Sequence, residues 1–179
     1  MTRADAIAGE DPALAIRVMN HVLDLSVQAR SPREPIMIMA VRAAERLVAL
    51  DPEGLRARIL DPATPSTVIE AIFVGLVDAA NDREWVRATP DPDRIAARRA
   101  SAAQLASSVR GRLPRRFDSM ALVAIARAGA PLSQADIQQL GTIGAGGGRV
   151  DEPLQIQAAW FYLKALGRHR EALARLSPE

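Results

Sequence analysis

The sequence predicts an all-α protein, a stack of about four antiparallel helical hairpins closed by a short C-terminal helix, and three observations predict it. Asp-Pro pairs fall at Asp11-Pro12, Asp51-Pro52 and Asp91-Pro92, 40 residues apart, and a period near 40 is the spacing of paired-helix repeats. The stretch 66–80 (STVIEAIFVGLVDAA) puts Val68, Ile69, Ile72, Phe73, Leu76, Val77 and Ala80 on one broad face of a 3.6-residue period, broken only by Glu70 and Asp78. A helix coated that widely needs neighbours on more than one side, so it belongs near the middle of the stack. The apolar fraction is 49% but aromatics are only 3%, and Ala at this density favours helix and close helix packing.

Each element has its own start or stop signal. Asp11-Pro12 opens a helix over 12–29, because Asp is a strong N-cap and Pro at the first helical position loses no hydrogen bond. Ser31-Pro32-Arg33-Glu34 has capping-box spacing and opens a helix over 32–50, whose run Ile36 to Val41 is apolar all round and is expected to be buried. Asp51-Pro52 starts a helix over 52–60, and the central helix follows at 66–80. Asp91-Pro92 starts a helix over 92–112, paired with 118–129, for which Asp118 is the N-cap candidate. Gly129-Ala130-Pro131 stops it, and Ser133 with Asp136 starts 133–143. The helix over 133–143 pairs with 152–166 as the fourth hairpin, and after Gly167 a last short helix spans 168–176. Residues 1–10 read as a flexible N-terminus, 81–90 as a polar connector holding Trp85, and 141–150 (GTIGAGGGRV) as a Gly-rich loop. That loop has neither a preceding strand nor a following Gly-Lys-Ser/Thr, and Asp151 and Glu152 would repel an anion, so it is expected to link helices rather than cradle phosphate.

At 179 residues the chain fits one domain able to bury a core without staples. It has no cysteine and only two histidines, His21 and His169, which removes disulfides, thiol catalysis and zinc sites built on Cys. Neither histidine has a Ser nucleophile at a fixed spacing, although Asp24 lies three residues after His21, and the carboxylate pair Asp82 and Glu84 lies in a connector. No catalytic residue, cofactor or metal ligand is therefore expected. No run reaches the roughly 18 apolar residues of a membrane span and no signal-peptide stretch is seen, so a cytoplasmic protein is expected.

Two constellations are candidates for binding. Seven arginines and no acid lie between 94 and 117, giving that segment +7 against −5 elsewhere within the net +2. On a helical wheel Arg94, Arg98 and Arg112 border one margin of the buried stripe and Arg99 and Arg110 the other, while Arg115 and Arg116 sit in the turn before Phe117. Either this is a solvated flank, or Arg94, Arg98, Arg112, Arg115 and Arg116 meet an acidic partner or a nucleic-acid backbone. The turn in particular is expected to attract anions, because two cations against a helix N-terminus are mutually unfavourable. The second constellation is Trp160-Phe161-Tyr162. Leu154, Ala158, Phe161 and Ala165 form one stripe, and Ile156, Ala159, Trp160, Leu163 and Leu166 a second on nearly the opposite side. One stripe faces the preceding hairpin; the other is covered by 168–176 or left for a partner through Trp160 and Tyr162.

The last hairpin, with Leu163, Gly167, Ala172 and Leu176, resembles a tetratricopeptide-type helix pair, and Leu50-Asp51-Pro52 resembles the way such repeats close. Trp160 stands where that family prefers a small residue, and the 40-residue spacing is nearer to HEAT-type pairs. The resemblance implies a right-handed α-solenoid that binds partners along a groove, and it carries over no functional residue. The leading expectation is thus a non-enzymatic scaffold for a protein or peptide. Nucleic-acid binding through 94–116 is the alternative, and an accessory helical domain of a cell-envelope enzyme the second.

Overall fold

The structure, a computed structural model, describes residues 11–31, 33–81, 91–148 and 150–167. The expected N-terminal tail, the connector with Trp85, Asp82 and Glu84, the helix over 168–176 and His169 lie outside the described residues. Among the described residues the chain is all-helical: α1 (Pro12–Asp24) with a 3₁₀ turn (Leu25–Gln28), α2 (Pro35–Leu50), α3 (Pro52–Leu60), α4 (Ser66–Ala79), α5 (Pro92–Val109), α6 (Arg115–Ala128), α7 (Gln134–Thr142) with a π-helical turn (Ile143–Gly147), and α8 (Glu152–Ala165). No helix among them is long and apolar enough to cross a membrane.

Asp11, Asp51 and Asp91 each cap a helix. Their carboxylates accept from the backbone N–H of Leu14 at 2.9 Å, Gly54 at 2.9 Å and Arg94 at 3.3 Å, with Pro at the first helical position each time. Asp61-Pro62 is different, since Asp61 accepts from Ala63 N–H and shapes a turn. Ser133 and Asp136 form a reciprocal capping box. Gly129, at φ 76, ends α6, and Gly167, at φ 73, follows α8.

Four local expectations are corrected. The second helix begins at Pro35, and Glu34 reaches back to the Arg30 N–H at 3.0 Å instead of completing a box with Ser31. Within its apolar run, Met37 and Ala40 are buried but Ile38 and Met39 are 52% and 50% exposed, because α2 buries one side on α1 and another on α4 and leaves a third open. The sixth helix starts at Arg115 after Pro114, so Asp118 lies inside its first turns and is not its N-cap. Residues 141–150 are not a simple loop either. Gly141 and Thr142 complete α7, and the π turn then packs on α8, where a Cβ on Gly144 would lie 2.8 Å from the Ala159 Cα. The glycine there permits a backbone approach that no other residue allows.

The core is organised on α4. Val68, Ala71, Ile72, Phe73, Leu76, Val77 and Ala79 are buried, and α4 touches α2 on one side and α6 on the other, with α5 alongside. Phe73 stacks on Phe117 of α6 with ring centroids 5.4 Å apart and planes 21° from parallel. Successive contacts run α2 to α4 to α6 to α8, while α1 is joined to α3 by Arg58, which donates to Asn20 Oδ1 at 2.8 Å and pairs with Asp24. Asp24 is thus paired with Arg58, and His21 is exposed.

Candidate functional site

Along the row α2–α4–α6–α8, polar side chains meet in two groups, one joining α2, α4 and α5 and one joining α5, α6 and α8. Arg42 and Glu45, three residues apart on α2 and so on one face, pair at 2.8 Å, and the same Arg42 nitrogen lies 3.8 Å from Asp78 Oδ2 on α4. Arg98 enters from α5, donating to Glu45 Oε1 at 3.3 Å and to the Asn81 carbonyl at 3.0 Å. Its neighbour Arg99 donates to the carbonyls of Arg127 and Ala128 at 3.3 and 3.0 Å, satisfying the C-terminal end of α6. Arg127 in turn donates to Gln157 Oε1 of α8 at 3.0 Å. Three residues on is Trp160, half-buried, edge-to-face with Phe161 at 4.8 Å and with the Lys164 ammonium 5.0 Å from its ring centre.

Glu45 and Arg98 are largely drawn out of water, while Arg42 is 48% exposed. The Glu45 and Arg98 side chains are only 13% and 12% exposed and Asp78 is 33% exposed. Burial, followed by the negative charge of Glu45, pushes the Asp78 carboxyl above the usual range, against the pull of Arg42, Arg127 and Arg98.

A second cluster sits at the other end of α5. Arg110 pairs with Asp136, donates to Gln139 Oε1 at 2.8 Å and lies 3.9 Å from Asp118. Asp118 accepts from the Gly111 N–H at 2.8 Å and from Gln139 Nε2 at 3.2 Å. Burial raises the proton affinity of Asp136, but hydrogen bonds from Arg110 and Ser133 outweigh it and hold the carboxyl below the usual range. This cluster fastens α5, α6 and α7 together.

The expected basic face does not form as one surface. Arg98 turns to α2, and Arg110 turns to α7. Arg116 pairs with Glu70 of α4 at 2.6 Å, 5.9 Å from the Phe117 ring centre. Arg94, Arg112 and Arg115 are exposed. Arg115 and Arg116 stand in the first turn of α6 and not in a turn before it, and reversing Arg116 would set like charges side by side with Glu70, so this end of the helix is partly a structural contact and not only the anion-attracting surface its sequence predicts. The aromatic pair is divided too. Trp160 shares the stripe of Gln157 and Lys164, whereas the Tyr162 ring lies against Gly141 of α7, 3.0 Å from where a Cβ would stand. Of the two apolar stripes read on α8, Leu154 and Ala158 of the first and Ala159 and Leu163 of the second are buried, while Ile156 and Leu166 face outward.

Sequence reasoning missed Glu45, Asp78, Arg127 and Gln157 as a group. The available signal is a polar residue in each of α2, α4, α6 and α8, and in the sequence alone Asp78 reads only as an interruption of an apolar face. Comparison with protein-family models, with curated proteins and with solved structures finds no match to this chain.

Proposed function

We propose that the protein is a non-enzymatic interaction module, a right-handed α-solenoid-like stack whose α2–α4–α6–α8 row binds a protein or peptide. The observation that supports this reading best is the pairing of polar side chains between neighbouring helices, Arg42 with Glu45 and Asp78 at one place and Arg127 with Gln157 at another, the latter beside the half-buried Trp160. Helix interfaces need no such groups. A charged cluster drawn out of water is rarely better for stability than apolar residues of the same volume, so its placement along one row favours recognition. With four arginines (Arg42, Arg98, Arg99 and Arg127) and two carboxylates (Glu45 and Asp78) these groups carry a surplus positive charge, which suits an acidic segment, and Trp160 offers the large anchor typical of interface hot spots.

Capture on the immobilised protein, followed by titration of the recovered partner, tests this. Trp160→Ala is expected to weaken binding by about 2 kcal/mol or more with helicity unchanged. Retention of full affinity by that variant would remove the aromatic end of the row from the site.

The exposed Arg94, Arg112 and Arg115 favour nucleic acid as a second reading. It requires affinity that falls steeply with salt as counterions are released, and no binding to duplex or single strands at about 50 mM salt would exclude it. Diversion of Arg98, Arg99, Arg110 and Arg116 into contacts within the fold supports the first reading over this one.

A further inference from the structure

α1 buries one side and leaves another open. Ala15, Met19 and Leu23 are buried, and α2 packs on α1, while Leu14 and Val18 are exposed although both are large and apolar. These two open a seam of 4-3-4 spacing, Leu14, Val18, His21 and Leu25. Leu25 is half-buried and extends α1 with helical backbone angles, φ −63 and ψ −18. Spacing of this kind keeps side chains on one face and is the pattern by which one helix packs on another. His21 is the one polar member. Exposed apolar bulk is concentrated at this end of the molecule: of the seven large apolar residues exposed among the described ones, five lie from Leu14 to Met39.

Two charges border the seam. Arg17 and Asp24 are seven residues apart, which puts both on the same margin, about 20° from each other around the helix. Arg17 is exposed and has no ion-pair partner among the described residues. Asp24 is held by Arg58 of α3 through Oδ1, yet its side chain remains 55% exposed. The opposite margin consists of Ala15 and Val22, neither of them charged.

A cation and an anion on one margin of an apolar seam are complementary to themselves. When two copies of a helix meet antiparallel about a two-fold axis, each margin faces its own copy in reverse order, so Arg17 comes level with Asp24 of the second copy and Asp24 with its Arg17. A parallel pair would set this margin against the uncharged one. The antiparallel register also brings Leu14 level with Val27 of the second copy.

We propose that the outer face of α1 docks on α1 of a second copy of this chain, forming a two-fold dimer. A single helix pair of this length buries an area at the low end of specific interfaces, under about 1,200 Å² in total, so the dimer is concentration-dependent. α1 lies outside the α2–α4–α6–α8 row, and self-association and partner binding can therefore fail independently.

Sedimentation equilibrium of the full chain tests the dimer. The wild type is expected to show a reversible monomer–dimer equilibrium. Arg17→Asp, which places like charge against Asp24 of the second copy, is expected to weaken it by about tenfold or more with the far-UV circular dichroism unchanged. Asp24→Arg alone should weaken it as well, and an equimolar mixture of the two variants should associate again, because each altered charge then meets its opposite. A wild type still monomeric at about 1 mM, whether residues 1–10 or another protein covers the face, overturns the dimer. So does an Arg17→Asp variant that associates as tightly as wild type, or a mixture of the two folded variants that associates no better than either alone. Should Asp24→Arg fail to fold without its Arg58 pair, the wild type and Arg17→Asp decide the question.

Discussion

Phe73→Ala is expected to destabilise the protein by about 3–5 kcal/mol, the cost of removing a buried ring whose surroundings cannot collapse to fill the space. Phe73 is fully buried on α4, the helix flanked by both α2 and α6, and its ring stacks on Phe117 at 5.4 Å. Truncation deletes the stacking contact and opens a void between two helices whose separation is fixed at one end by the Arg116–Glu70 pair. Urea unfolding followed by far-UV circular dichroism measures it. The midpoint should fall with an unchanged slope, since the surface exposed on unfolding hardly changes. A loss below about 1 kcal/mol, the size of a surface change, would mean that α4 does not centre the core.

Gly75→Ala, two residues on, tests the same packing from the opposite direction, by adding atoms. In an ordinary helix interior this substitution gains close to 1 kcal/mol, because Ala is the better helix former. Here the added Cβ would lie 2.7 Å from the Ala44 Cβ, 2.7 Å from the Val41 carbonyl oxygen and 2.8 Å from the Glu45 N. Two of those atoms are backbone, so a side-chain turn cannot relieve the clash and α2 must move away from α4. Overpacking of this kind costs about 1–3 kcal/mol, so the net effect should be a clear loss, with the Glu45 region displaced. Thermal unfolding decides it, since a rise in Tm would show that the α2–α4 crossing is looser than the close contact at Gly75 requires.

The contrast between Phe73 and Gly75 shows which parts of this molecule are legible in its sequence. Phe73 belongs to a periodic apolar face, and periodicity is a property of neighbouring residues, so the central helix could be read directly. Asp11, Asp51, Asp91 and the Ser133–Asp136 box were legible for the same reason: a cap bonds a backbone group two or three positions away. Gly75 gave no such signal, because its role depends on Ala44, 31 positions earlier and on another helix.

The same distinction governs the charges. Reading seven arginines as one basic segment treated proximity in sequence as proximity in space. Their partners lie far off along the chain: Arg98 reaches back 53 residues to Glu45 and Arg116 back 46 to Glu70, while Arg99 reaches forward to Ala128. Successive residues on a helix point about 100° apart, so Arg98 and Arg99 were bound to face different neighbours once α5 was packed on both sides. Asp118 was misread through a similar limit. A carboxylate near a helix start is most often a cap, but Pro114 had already opened the helix and Asp118 was drawn to Gly111 and Gln139. The candidate site was the least legible part, because it is made of single polar residues from four helices and exists only after they are aligned.

The proposed binding surface is tested most directly by site-specific photo-crosslinking in the intact chain, with a photoreactive residue replacing Gln157 beside Trp160 on the row, or Arg115 on the basic turn. The position at 157 is expected to yield a discrete protein adduct that disappears in the Trp160→Ala background, and the position at 115 to yield none. Adducts only from position 115, or an adduct at 157 that survives Trp160→Ala unchanged, would contradict the assignment of partner binding to the α2–α4–α6–α8 row.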